Sequence, residues 1–154
     1  MYETRRVFMK IVIVTGTLAE PLVRSAIAET TTAHTIEVVI LPLAVAAFLH
    51  PKYVSAQIRL RSQLHRVDLI LLPGMVAGDT TLVAEATGIP TFKGPKHAAD
   101  LPLIFEALPE KLDQLSTTEP ADLVLHEEVK KRALRDLRQA ERPPKGKLPS
   151  TVLQ

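Results

Sequence analysis

The chain contains no cysteine among its 154 residues, which removes a disulfide framework, a thiolate nucleophile and any Cys-ligated zinc or iron–sulfur site. It also lacks a long apolar run. The longest, Leu41 to Leu49 (LPLAVAAFL), is broken by Pro42 and is half of the ~20 residues a membrane helix needs. The opening MYETRRVFM has no apolar core of ~7–15 residues, so no signal peptide is expected. A cytoplasmic protein without a membrane segment is the expectation. Charge of one sign is scarce as well: 19 Lys/Arg stand against 17 Asp/Glu, too even a balance for the field a nucleic-acid binder uses, and no nucleic-acid partner is expected. The small excess sits at the end. Residues 121–154 carry eight Lys/Arg against five Asp/Glu, and the first 120 carry 11 against 12.

What is present is an alternation. Four short apolar runs, Lys10 to Thr15 (KIVIVT), Ile36 to Leu41 (IEVVIL), Val67 to Leu72 (VDLILL) and Pro90 to Lys93 (PTFK), are separated by helix-like segments, and each stops at Gly or Pro. Near-continuous apolarity suits strands buried on both faces. The pattern predicts an α/β fold: an open parallel sheet of about four strands flanked by helices, Rossmann-like or flavodoxin-like, with an extra C-terminal helix. A central first strand with right-handed crossovers predicts the order 2-1-3-4.

Proline and glycine punctuate the helices. Pro21 and Pro51 fall in expected first turns. Asp79 can cap a helix that runs to Gly88. Leu101, Ile104, Phe105, Leu108, Leu112 and Leu115 form one stripe that Pro109 can divide. Residues 10–120 are read as the α/β domain. Ala121 to Glu141 reads as an amphipathic helix with Leu125, Val129, Ala133, Leu134 and Leu137 on one face. Residues 142–154, with three Pro and one Gly, read as a linker or disordered tail.

In such a sheet, ligands bind outside the carboxyl ends of the strands near the point where strand order reverses. Three loops rich in Gly and polar residues fall there: Thr15 to Pro21 (TGTLAEP), Pro73 to Asp79 (PGMVAGD), and Lys93-Gly94-Pro95-Lys96-His97. The first can offer backbone N–H groups and hydroxyls to an anion; alternatively, Gly16 makes a tight turn and Thr17 a local cap. The third places two ammonium groups and an imidazole within five residues, a set that suits phosphate or carboxylate, or else it is a solvated basic loop. The candidate ligand-binding set is therefore Thr15, Gly16, Thr17, Gly74, Asp79, Lys93, Gly94, Lys96 and His97. Asp100 reads as a helix cap. His34, His50, His65 and His126 are scattered without metal-ligand spacing, so no metal is assigned. Neither GxGxxG nor GxxxxGK[ST] occurs, and no cofactor is assigned. Phe48 and Tyr53 could stack on an aromatic ligand or pack. Ser25, Ser55 and Ser62 lie in helical segments rather than on a nucleophile elbow, and no catalytic residue is identified.

Four phrases, VTGTLAEPLVR (Val14 to Arg24), LPLAVAAFL, DLILLPGMVAGD (Asp68 to Asp79) and ATGIPTFKGPKHAADLPLI (Ala86 to Ile104), occur in order and together resemble the N-terminal domain of the dihydropteroate synthase-like proteins of methanogens and methylotrophs. The resemblance covers roughly Lys10 to Leu108. It implies a role in tetrahydromethanopterin biosynthesis, hence in one-carbon metabolism, where the full-length transferase joins a pterin diphosphate to an arylamine-type acceptor on a pterin-binding barrel. Such a barrel needs ~250 residues. The resemblance therefore implies an accessory domain that binds an anionic group, such as a phosphate-bearing small molecule, or docks on the barrel in cis or in trans. An independent flavodoxin-like binding protein and a structural interaction module are the competing readings, and a homo-oligomer is left open.

Overall fold

A computed structural model describes residues 8–44, 50–61 and 64–141. Its element order is β1 (Lys10–Gly16), α1 (Glu20–Ala28), β2 (Thr35–Leu41), α2 (Pro51–Arg61), β3 (Leu69–Leu72), α3 (Thr81–Thr87), β4 (Thr91–Lys93), α4 (Leu101–Ala107), α5 (Ala121–Val124) and α6 (His126–Glu141). All strand pairs are parallel and the sheet order is β2-β1-β3-β4, as the alternation predicts. The reversal of strand order falls between β1 and β3. The proposed tail at 142–154, together with Phe48 and Ser62, lies outside the described residues.

Alternation along the strands builds two cores, because successive side chains leave a strand on opposite faces. Ile11, Ile13, Leu69 and Leu71 pack with Val23, Leu101, Ile104 and Phe105 beneath α1 and α4. Val12, Val14, Ile70 and Leu72 pack with Val54, Ile58 and Val83 beneath α2 and α3. Burial on both sides explains why the sequence of β1 and β3 is apolar at every step rather than at every second one. The first core is also held by a buried polar group. His34 Nδ1 accepts the Met9 N–H at 3.0 Å, so its proton sits on Nε2, which faces the Phe105 and Leu108 carbonyls at 3.2 and 3.3 Å.

The local punctuation acts as expected in most places. Pro21 occupies the first turn of α1, and α2 begins at Pro51. The Asp79 carboxylate accepts the Thr81 N–H at 2.9 Å, and α3 ends at Gly88 with φ 75°. The stripe that starts at Leu101 is divided: α4 stops at Ala107, and a separate 3-10 turn forms at Leu112–Gln114.

Three expectations need correction. Asp100 stands at the N-cap of α4 but its side chain makes no capping bond, because its backbone is already in a helical conformation that continues from the 3-10 turn Ala98–Asp100. Thr17 does not cap α1, whose N-cap is Ala19. The last helix is two, broken at Leu125. Leu125 is buried and Val129 partly so, whereas Leu134 and Leu137 are 48% and 56% exposed. The apolar face of α6 is thus only half used, its first turns being fixed by the Arg132–Glu106 and Lys111–Glu128 ion pairs.

Candidate functional site

A cleft of about 80 Å³ opens at the β1/β3 reversal, lined by Ile13, Thr15, Ala19, Val23, Pro73, Met75, Pro95, Lys96 and Leu101 among others. Its walls are apolar because β1, α1 and α4 all contribute residues of the first core. Two groups break that pattern. The Thr15 hydroxyl is buried and among the described residues reaches only the Gly16 carbonyl, at 3.4 Å, near the limit for a hydrogen bond. Lys96 is exposed at the mouth. A second groove, of about 330 Å³, shares Ala19, Lys96 and Ala98 with the cleft and continues past His97 along α1 to Glu29.

The loops around the cleft are tied together through backbone contacts that only glycine permits. A Cβ at Gly74 would stand 2.7 Å from the Gly94 carbonyl oxygen and 2.8 Å from the Lys96 nitrogen; Gly74 N–H donates to Pro95 at 3.2 Å and Gly94 N–H to Leu72 at 2.7 Å. At Gly16 a Cβ would lie 2.4 Å from the Leu43 carbonyl oxygen. The same approach changes what the first loop can do. The Thr17 and Leu18 N–H groups donate to Leu43 and Ala44 at 2.9 and 3.3 Å, so these two donors, expected to face an anion, are occupied by the segment after β2. Glu20 in the first turn of α1 adds negative charge at that end.

Of the nine candidate residues, the structure brings Thr15 and Lys96 to the cleft wall, with Gly74 and Gly94 in the backbone contacts that hold the loops around it, Gly16 and Thr17 forming the turn beside it and Lys96 and His97 in the adjoining groove. Lys93 and Asp79 are elsewhere. Lys93 is paired with Leu72 across the ladder, and Leu72 belongs to the core under α2 and α3, so the Lys93 side chain leaves the sheet on the face opposite to Thr15. The spacing that grouped Lys93 with Lys96 spans a strand end, where neighbouring residues face opposite sides. Asp79 lies on that second side. Its carboxyl is held below the usual carboxylate range, foremost by the hydrogen bonds from the Thr81 side chain and backbone, then by Thr117, with the charge of Lys93 the smallest favourable influence.

Sequence reasoning missed Met75, Val23 and Leu101, which line the cleft but read as ordinary apolar residues. It also missed Asp122, whose carboxylate accepts the Lys96 N–H at 3.0 Å and so anchors the loop. Asp122 stands near Asp100, whose carboxyl is raised by burial and, second, by the charge of Asp122.

Residues 9–96 match a family model described as a family of unknown function, DUF6513. The chain belongs to this family. The matched stretch runs from the residue before β1 to Lys96, and thus holds all four strands, the first two loops of the rim and the third as far as Lys96. The chain is also 37% identical over 142 residues to the uncharacterized protein MJ0107 of Methanocaldococcus jannaschii, an alignment that covers 88% of this chain and 26% of the relative. It spans about a quarter of the length of that curated relative. No solved structure matches it.

Proposed function

We propose that the chain is an accessory α/β domain of a dihydropteroate synthase-like transferase in tetrahydromethanopterin biosynthesis. It has no catalytic centre of its own in this reading. Its part is to seat a small ligand group, apolar in body and negatively charged at one end, in the cleft between β1 and β3. The observation that carries the reading is the cleft itself: apolar walls at the strand-order reversal, a weakly partnered hydroxyl at Thr15 and an ammonium at Lys96. A pocket of that make-up orients a ligand through few polar groups, and the reversal is where open α/β sheets bind ligands. The greater length of the archaeal relative leaves room for a catalytic domain beside this one, and the four sequence phrases supply the link to pterin chemistry.

The test is a titration of the full chain, followed by amide NMR, with a pterin diphosphate and with an aminobenzoate-type arylamine. Signals of Thr15, Met75 and Lys96 are expected to shift, and Lys96→Ala to weaken binding several-fold, whereas Arg59→Ala on the outer surface of α2 leaves it unchanged. Absence of binding by both ligands, or equal affinity in all three proteins, overturns the ligand-seating role. A phosphate nest of the flavodoxin kind has less support, because the Thr17 and Leu18 amides are already bonded; a coloured, flavin-carrying protein on purification would reverse that ranking.

A further inference from the structure

The cleft at the β1/β3 reversal is small, about 80 Å³, against the ~300–1,000 Å³ in which proteins hold small molecules. It does not end there. The groove of about 330 Å³ that shares Ala19, Lys96 and Ala98 with it brings the continuous space into that range. One wall of the groove is a face of α1, on which Leu22, Ser25, Ala26 and Glu29 recur at helical spacing. The other is formed by residues 96–99, where the 3-10 turn packs against α1. Ala26, Ala98 and Ala99 keep the space between the walls open, since none reaches past its Cβ. From Ala19 at the cleft to Glu29 the helix axis runs about 15 Å.

The two ends of this space differ in charge. Lys96, shared with the cleft, and its neighbour His97 stand at one end. Glu29 stands at the other, and it is the one acidic side chain among the described residues that line the cleft and the groove. It is the C-cap of α1, whose last turn holds no basic residue. The backbone carbonyls at a helix C-terminus already carry partial negative charge, so a carboxylate there works against the helix and a cation is the favoured neighbour. A residue that breaks a local rule in the wall of a cavity points to binding rather than to folding.

We propose, resting on the reading of the cleft as a ligand seat, that the ligand is elongated: it leaves the cleft past Lys96, follows α1 with an apolar arm against Leu22 and ends in a protonated amine received by Glu29. Its chemical class is an aryl or alkyl acid that bears an amino-terminated arm. Lys96 holds the acid by a charge-assisted hydrogen bond. The Ser25 hydroxyl, one turn before Glu29, offers the amine a second acceptor. Glu29 is thus a specificity residue, which favours a charged arm over a neutral one of the same length.

The experiment titrates the full chain, followed by amide NMR, with benzoate, Nα-benzoyl-norleucine and Nα-benzoyl-lysine. All three carry the ring and the carboxylate; they differ in having no arm, a butyl arm, or that arm ended by an ammonium. Benzoate is expected to shift Thr15 and Met75 but not Ser25 or Glu29, and the lysine compound to shift all four. The lysine compound should bind about three- to fivefold more tightly than the norleucine one, the worth of an ion pair at a surface. Glu29→Gln is expected to remove that difference and leave the affinity for benzoate unchanged. Ala99→Leu, an enlargement at an exposed position of the groove wall, is expected to weaken both armed compounds and not benzoate. Cleft shifts with all three compounds, but none along α1 and no preference for the lysine compound, overturn the elongated ligand and leave the cleft as a ligand seat. A preference that survives in Glu29→Gln overturns the role of Glu29. Absence of cleft shifts with every compound overturns the ligand seat as well.

Discussion

Leu71 in β3 and Leu134 in α6 are the same side chain in opposite circumstances. Leu71 lies in a strand flanked by two others and covered by helices on both faces. Leu134 lies on a helix held at its beginning by Val129, Arg132 and Glu128 and exposed along its later turns. Both segments carry a clear apolar pattern. Pattern alone therefore tells that a residue can be buried, and the number of elements that reach it tells whether it is.

The largest effect should come from the body. Leu71→Ala deletes a fully buried side chain between β1, β4 and α4 and should cost ~2–5 kcal/mol of unfolding free energy, measured by chemical denaturation. A loss below ~1 kcal/mol would mean that the strand is far less tightly packed than its burial indicates.

The joint between body and terminal helices comes next. Asp100 is raised by burial and by Asp122, so the folded chain binds its proton more readily than the unfolded chain. The contribution of such a group is favourable below its unfolded value and is lost as pH rises through the folded one. Asp100→Asn should therefore stabilise the protein at neutral pH, by less than ~1 kcal/mol because the site is largely hydrated. The gain should fade as pH falls through the carboxylate range. A gain that persists undiminished in acid would point to a different cause. The smallest effect belongs to the overhang: Leu134→Ala and Leu137→Ala should each change stability by no more than ~0.5 kcal/mol, in the same denaturation measurement.

The same contrast marks what the sequence reveals. Strand positions, the proline starts of α1 and α2 and the Asp79–Gly88 frame of α3 follow from short-range rules, in which a residue and its close neighbours settle the outcome, and the sheet order follows from the handedness of the crossovers. The departures are long-range. Whether the Thr17 amide is free depends on Leu43, 26 residues away; whether Asp100 is ordinary depends on its burial and then on Asp122; and the side of the sheet on which Lys93 emerges depends on its pairing with Leu72. For the candidate site, the three loops are legible because Gly and charge collect there. The apolar floor of the cleft is not, since Met75, Val23 and Leu101 carry no mark that separates a pocket wall from a core.

The bond from the Lys93 N–H to the Ser116 carbonyl, together with that from the Ala121 N–H to Gly94 at 2.9 Å, bears on solubility. A terminal strand offers a row of unpaired backbone groups on which another chain can build a sheet, and natural proteins cover such rows. Here the stretch from Ser116 to Ala121 covers the β4 side. It belongs functionally to the sheet although it contains no strand, and a truncation placed ahead of it would uncover a surface prone to intermolecular β pairing.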